Sequence, residues 1–479
     1  ERLQEQRRTI ALLKSERLDP DLPVLESIAR HYLTTSQCPR YMQREKVEGR
    51  WRLVRDLCEE YHAQGVLYEQ LKFCEYWGYE RALASHVITH DYGIPSVAVD
   101  RRQRPAAHAR AGIRRESGDQ AAPGAERRQV TMADKEKRSL REFLRHINDY
   151  TYRFNPEKGQ FRYRELRGVR DTAFDFYMWL KCWKDMVAFV AKCPVSAVRA
   201  LFRYQWFATY LTYPNFVDRG TLGMRGNQLR MARAQYDRIV KKATDLLRIS
   251  FVADEHFHPG NKLSKKVVLF DELVPGEIMA GSPTLIYLPA QVLPVFLCSI
   301  LDQQITPPYL DAAENFGIPA DVCPLPSAEA GCALRDEYPK LGTCFVACNM
   351  PCDGSVATTS YQDRYFNLPT YYFGVPIRYN EEAVQDYAVE ELRGLIRFIE
   401  EQTGETFDWD AFFRAMKVYN QETEYELQKW EVNRTPYPQM TGETFWIYRM
   451  FFYHLSGGMD PHFLDTDRRV NRIMMRGYQ

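Results

Sequence analysis

The chain has 479 residues, 45% of them hydrophobic and 27% charged, a balance that excludes a disordered or fibrous polypeptide and gives length for two to four domains. Lys and Arg total 64 against 63 acids, so the net charge of +1 offers no global attraction to nucleic acid or to a membrane surface. The eleven cysteines are odd in number and scattered. A chain this long needs no disulfide stapling, so they predict a reducing cytoplasm, with most thiols buried and some able to bind metal.

No signal or transit segment precedes the first charged helix. Residues 48–63 place Trp51, Leu53, Val54, Leu57 and Tyr61 at helical spacing. Gly65–Leu71 reads as a strand, Lys72-Phe-Cys-Glu-Tyr-Trp-Gly78 as a loop, 79–91 as a helix, and Ile94–Asp100 as a second strand after a Gly-Ile-Pro turn. This is a βαβ unit with Cys74 just past the carboxyl end of its first strand.

Residues 101–130 differ from everything around them. Half are Arg or Ala, none is aromatic, and eight Arg against three acids give +5, which leaves −4 for the rest. Such a stretch cannot bury enough apolar surface to fold and predicts a disordered basic linker over 101–131. Its composition is also that of GC-rich DNA translated out of frame. It ends at Val130-Thr131-Met132, and Met132-Ala-Asp-Lys-Glu-Lys137 has the look of a start. The reading is that residues 1–100 end one gene product and Met132 opens its neighbour, joined by a frameshift.

Residues 132–264 form a helical region. Within it Phe176, Trp179, Leu180 and Trp183 recur at helical intervals, as do Phe174, Tyr177 and Met178, and predict helix-packing core in place of an RNA-stacking face. From 265 to 379 the pattern is α/β, with strand-like runs at Val267–Phe270, Thr284–Leu288, Asp321–Leu325, Thr343–Ala347 and Thr370–Pro376. Residues 281–301 carry no charge, yet Pro283, Pro289 and Pro294 with Ser282, Thr284 and Gln291 favour a buried strand and helix over a membrane span. Residues 380–479 are helical again, over 380–402, Asp408–Lys429 and Thr441–Leu455. The fold class is α/β: Rossmann-like or flavodoxin-like open parallel-sheet domains with large helical segments.

Cys348-Asn-Met-Pro-Cys352-Asp-Gly354 follows the strand at 343–347, so Cys352 stands in its unit where Cys74 stands in its own. Open α/β sheets hold ligands outside their strand carboxyl ends, and a helix N-terminus there lowers a thiol pKa. Cys323, after another Gly-Ile-Pro turn, reads as a third such position. Three thiolates from three loops suit a [4Fe–4S] cluster with one iron left open. Zinc fits less well, because no histidine is near these loops. No Walker loop, GxGxxG or nucleophile elbow supports an ATP, NAD or hydrolase reading.

Lys72-Phe-Cys-Glu-Tyr-Trp-Gly78 after Gly65-Val-Leu-Tyr68 resembles the C-terminal cysteine motif of the 2-hydroxyacyl-CoA dehydratase/benzoyl-CoA reductase family. Cys352-Asp-Gly354 is similar to that family's middle motif, and Cys323 to its first cysteine, though Pro-Leu-Pro replaces the aromatic and arginine residues that usually follow. Pro275-Gly-Glu-Ile-Met-Ala-Gly281 resembles the opening of the family's first α/β domain. Glu391-Leu-Arg393, Glu401-Gln-Thr-Gly-Glu405, Phe413 and Tyr419-Asn-Gln-Glu422 are like its inserted helical segment. The resemblance covers about 40–100 and 265–455. In the family the KFC motif comes last. Here it comes first, and Gln479 is reached before a second one, which agrees with the tail of one subunit joined to most of a D-component-like neighbour.

The resemblance implies Cys74, Cys323 and Cys352 as cluster ligands, with Cys332 or Cys348 as substitutes for Cys323. In a two-piece chain Cys74 would serve a different cluster from the other two. It implies an acyl-CoA substrate, a paralogous second subunit in a heterodimer, and an ATP-dependent activator that injects one low-potential electron. The thioester carbonyl then becomes a ketyl radical, and a 2-hydroxyl leaves or a ring or double bond is reduced. No catalytic base is assigned; Glu277 and Asp353 read as surface carboxylates. The alternative is an iron–sulfur electron-transfer or assembly protein without its own substrate site.

Overall fold

The computed structural model describes residues 25–26, 44–70, 75–100 and 167–479, the last range with interruptions at 212, 214–216, 218–220, 222, 272–273, 275, 302–304, 321, 350–353, 355, 357–358, 360–364, 377–381 and 457–459. The linker at 101–131, Cys74, Cys352 and Asp353 lie outside the described residues. The chain divides into two compact units, one of Gln37–Ser139 and one of Glu1–Ser36 with Leu140–Gln479.

The smaller unit is the expected βαβ: α1 (Arg44–Tyr61), β1 (Val66–Gln70), α2 (Glu75–His90) and β2 (Ser96–Asp100), with β1 and β2 parallel and Val66 opposite Ser96. Helix α1 starts four residues and α2 also four residues before the sequence pattern suggests. Gly65 is required where the strands begin. A Cβ there would stand 2.9 Å from the Pro95 carbonyl oxygen, which accepts the Val66 amide at 2.8 Å. The Arg50 guanidinium donates to both Glu80 oxygens, at 3.1 and 2.7 Å, and ties α1 to α2 inside a core of Tyr68, Ala84 and Ile88.

In the larger unit, α3 (Val169–Lys192), α4 (Pro194–Arg203), α5 (Phe207–Tyr210) and α6 (Gly226–Ala253) make up the expected helical region. Strands β3 (Val267–Phe270), β4 (Ile286–Pro289), β5 (Cys344–Cys348) and β6 (Thr370–Phe373) follow, with α7 (Gly276–Met279), α8 (Leu297–Leu301), α9 (Pro307–Phe316) and α10 (Pro324–Leu334) between them. The chain closes with α11 (Glu382–Thr403), α12 (Trp409–Asn433), α13 (Gly442–Ser456) and α14 (Pro461–Tyr478). The sheet order is β4-β3-β5-β6, all parallel.

Period-two alternation sends Val267 and Leu269 of β3, with Phe345 and Ala347 of β5, to a core shared with α6. Val268, Phe270, Cys344, Val346 and Cys348 enter a second core against Leu392, Leu395 and Ile399 of α11. A parallel sheet covered on both faces explains strands with no polar residue in β3 or β5. The uncharged stretch 281–301 becomes β4, a π-turn at Val292–Phe296 and α8. No helix among the described residues is long and apolar enough to cross a membrane.

Two expectations fail. Asp321–Leu325 contributes no strand: Val322 and Cys323 are irregular and Pro324 opens α10. Pro324 and Pro326 lack the N–H a ladder needs, whereas proline suits the first turn of a helix. The aromatic stripe of α3 is also only partly core. Met178 is buried, but Phe176, Tyr177 and Leu180 are exposed. Helix α14 was absent from the sequence pattern; Pro461 at its start and Asp460 as its N-cap, accepting the His462 amide, are its local signals.

Candidate functional site

Strand β3 pairs with β4 on one side and β5 on the other, so the chain leaves β4 and returns across β3. At such a reversal open α/β sheets take ligands outside the strand carboxyl ends, here those of β3 and β5. Asp271 follows β3 and is buried, with its amide on the Val346 carbonyl at 2.8 Å. Ala290 follows β4 and donates to Phe270 at 2.9 Å; Gln291, next to it, is a buried amide. Cys348 closes β5, and Asn349 begins the loop that leads to Cys352.

Asn349 acts as one more rung of the ladder. Its Nδ2 donates to the Val375 carbonyl at 3.0 Å and its Oδ1 accepts the Val375 amide at 2.8 Å. The two loops leaving β5 and β6 are therefore clamped where the Cys352-Asp-Gly354 segment departs. Glu277 is not a surface carboxylate as expected. It is buried in α7, which packs against α12. The sequence reading missed Asp271 and Gln291; a polar residue directly after an apolar strand was the available signal.

Cys323 is half-buried, not in a disulfide, and N-caps α10. It is not the strand-end residue expected of it. The crossover from β4 must bring the chain back to the amino end of β5, and α10 is its last helix, so Cys323 opens that leg. The α9–α10 pair is very close. A Cβ on Gly331 would overlap the Tyr309 carbonyl, and Tyr309 donates to the Glu337 carboxylate at 2.8 Å.

Two other described cysteines of this domain, Cys332 and Cys344, are buried thiols with raised pKa. Cys332 is fully buried and donates to the Glu337 carbonyl at 3.4 Å, and burial beside the Glu337 carboxylate pushes its thiol well up. Burial pushes Cys344 up to about 12. Cys332 therefore does not suit the role of substitute for Cys323. Cys323 stands half-buried at the start of α10, where Pro324 and Pro326 leave only Leu325 of the first three helical residues with an N–H. The placement of Cys74 and Cys352 relative to it falls outside the described residues.

Among the described residues, one group of three metal-ligand-type side chains has oxygens within 4.8 Å of one another: Glu422, Glu426 and Asp467. It holds its own cations. The Lys429 ammonium, fully buried, meets both Glu426 and Asp467, and Arg449 meets Glu422. An ammonium stands where a metal would, so the group is an internal ion cluster linking α12, α13 and α14.

A comparison with curated proteins gives no match. The family described as 2-hydroxyglutaryl-CoA dehydratase, D-component, matches residues 5–164 and 280–462, well over half of the chain, and the first stretch passes through 101–131. Residues 165–279, with most of the helical region and β3, fall between the two stretches. With the KFC motif in one matched segment and Cys352-Asp-Gly354 in the other, the chain belongs to the 2-hydroxyglutaryl-CoA dehydratase D-component family.

Proposed function

We propose that this chain is an iron–sulfur subunit of a 2-hydroxyacyl-CoA dehydratase or a related acyl-CoA reductase, with Cys74, Cys323 and Cys352 as thiolate ligands to [4Fe–4S]. Family membership is the observation that carries the reading. Bound, the cluster would supply a low-potential electron to a CoA thioester carbonyl. The chain's own residues orient and exclude water. Asn349 fixes the root of the Cys352 loop, Cys323 stands half-buried at the start of α10, and the strands around them are apolar. A paralogous subunit and an ATP-dependent activator complete the system.

The two-piece origin belongs to the same proposal. The order of motifs favours it; a family match running through 101–131 and the grouping of residues 1–36 with 140–479 rather than with 37–139 count against it. Sequencing the source DNA from codon 95 to codon 135 decides: a missing or extra base assigns 1–100 and 132–479 to neighbouring subunits, and an intact frame ends the idea.

For the ligands, iron and sulfide are counted anaerobically on wild type and on Cys74→Ala, Cys323→Ala and Cys352→Ala. Each substitution is expected to lower iron, and unchanged iron in all three sinks the assignment. Iron retained by a protein that binds no acyl-CoA points instead to an electron-transfer or assembly role.

A further inference from the structure

Helix α3 carries two apolar faces. Asp175, Met178, Cys182, Met186 and Phe189 form its buried face. On the opposite face Val169, Phe176, Leu180 and Val187, at spacings of seven, four and seven, line up within about 40° at 100° per residue and are exposed, Val169 to 88%. The stripe runs about 27 Å along the axis. Helix α4 continues the theme with Val195, Val198 and Phe202 at spacings of three and four, all exposed, Phe202 to 86%. An exposed apolar stripe of this length opposite a buried face ordinarily marks a surface that something covers.

Charge narrows what covers it. The acids of α3 are all engaged inside the unit: Asp171 with the Gly226 amide and Arg230, Asp175 with Arg167 and Arg233, Asp185 with Lys181. The exposed charges left on the helix are Arg170, Lys184 and Lys192, all positive. At 100° per residue Lys184 flanks the stripe, about 40° from Leu180, and Arg170 lies further round on the same side.

We propose that the outward face of α3, extended by α4, docks an amphipathic helix of another polypeptide whose apolar stripe is flanked by carboxylates. Seven-four-seven spacing is what one helix presents to a second, with apolar knobs entering the facing holes. A second copy of α3 is opposed by its own three cations. Nucleic acid is a poorer fit. Of the α3 stripe only Phe176 is aromatic, and it packs on Trp179, which packs on Trp183, with centroids 5.8 and 6.3 Å apart; Val169, Leu180 and Val187 offer no ring for a base. A lipid surface imposes no such spacing. The face lies within 165–279, outside the family match, so the contact adds to what the matched segments share.

The test uses the full chain and a labelled synthetic helix of about three heptads, leucine at its apolar positions and glutamate flanking them, read by fluorescence anisotropy. Its lysine-flanked twin, anionic phosphatidylglycerol vesicles and single-stranded RNA are the comparisons. The acidic helix is expected to bind, less tightly as salt rises. Leu180→Glu should weaken it about tenfold or more, and Lys184→Glu should shift preference to the lysine-flanked twin. Both positions are exposed, and unchanged thermal unfolding verifies that each variant is folded. Absence of binding, equal binding of the two helices, indifference to both substitutions, or binding of vesicles or RNA alone overturns the proposal.

Discussion

Replacing Lys429 by methionine tests whether the acidic group is an ion cluster or a metal site. The group carries three carboxylates (Glu422, Glu426, Asp467) against two cations (Lys429, Arg449), formally −1, and the substitution takes it to −2 inside the protein. Breaking a buried pair from one side costs about 3–5 kcal/mol, because the remaining charge has neither partner nor water. For a unit of this size that lowers the unfolding midpoint by about 4–6 °C. Proton uptake moderates the loss. Burial already pushes the Asp467 carboxyl up, and without the ammonium it rises further.

A carboxyl whose folded pKa exceeds its unfolded value binds more protons when folded, so the variant gains stability as pH falls from neutral toward about 4. In wild type, burial works against the Lys429 charge, but Asp467 and Glu426 outweigh it and hold the ammonium above its ordinary value. That contribution is present throughout the neutral range and is lost only in strong alkali. Circular dichroism melts at neutral and mildly acidic pH read both signs, and Mn2+ is the control. Lys429→Ala, which also opens space, should be stabilised by the ion and wild type should not. A Met variant within about 1 kcal/mol of wild type, or equal Mn2+ stabilisation of both, refutes the ion-cluster account.

Gly331→Ala should destabilise by about 1–3 kcal/mol in urea, since its Cβ must push α9 away at Tyr309. Asn349→Ala removes both bonds of the β5–β6 clamp and should cost about 1–3 kcal/mol. If the Cys352 loop holds a cluster, iron should also be retained less well in that variant. In cluster-free protein at mildly alkaline pH, peptide mapping should find Cys323 alkylated well before Cys332 and Cys344; equal rates contradict their burial. Cys344 has a folded pKa of about 12 against 9.0, so its contribution is complete below 9.0 and is lost as pH rises toward 12. The stability advantage of wild type over Cys344→Ala should shrink across that window.

The elements that could be read from the sequence are those whose pattern and tertiary burial coincide. β3 and β5 are continuous apolar runs because both sheet faces are covered, and α11 and α12 carry clear helical spacing. Where the two diverge, periodicity misleads. Phe176, Leu180 and Val187 have the spacing of a core face, yet the core takes the opposite side of α3, and no one-dimensional pattern says which of two apolar faces is covered. Asp321–Leu325 failed because two prolines were given less weight than the flanking Val and Leu. The crevice position was legible through strand ends, but Asp271 and Gln291 matter only once the order β4-β3-β5-β6 is known. The Lys429 cluster was not legible at all, since Glu422, Glu426, Asp467 and Arg449 meet across three helices.

The βαβ unit raises a question of stability that its motif does not answer. Parallel strands are ordinarily buried on both faces, and two alone are marginal. Here Tyr68 faces the helices, while Leu67 and its register partner Val97 stand 75% and 58% exposed on the other face. Its described core of three buried hydrophobic side chains compares with the dozens beneath β3 and β5. Covering Leu67 and Val97 would be worth about 1.5–3 kcal/mol each, so a large part of the unit's hydrophobic stabilisation is absent from it as it stands. Hydrogen exchange should therefore find the amides of Val66–Gln70 and Ser96–Asp100 exchanging long before those of Val267–Phe270 and Cys344–Cys348. Equal protection of the two sheets would mean that other contacts hold the βαβ unit and that its exposed face costs it little. Slow exchange restored on adding a separately expressed second subunit would identify what completes it.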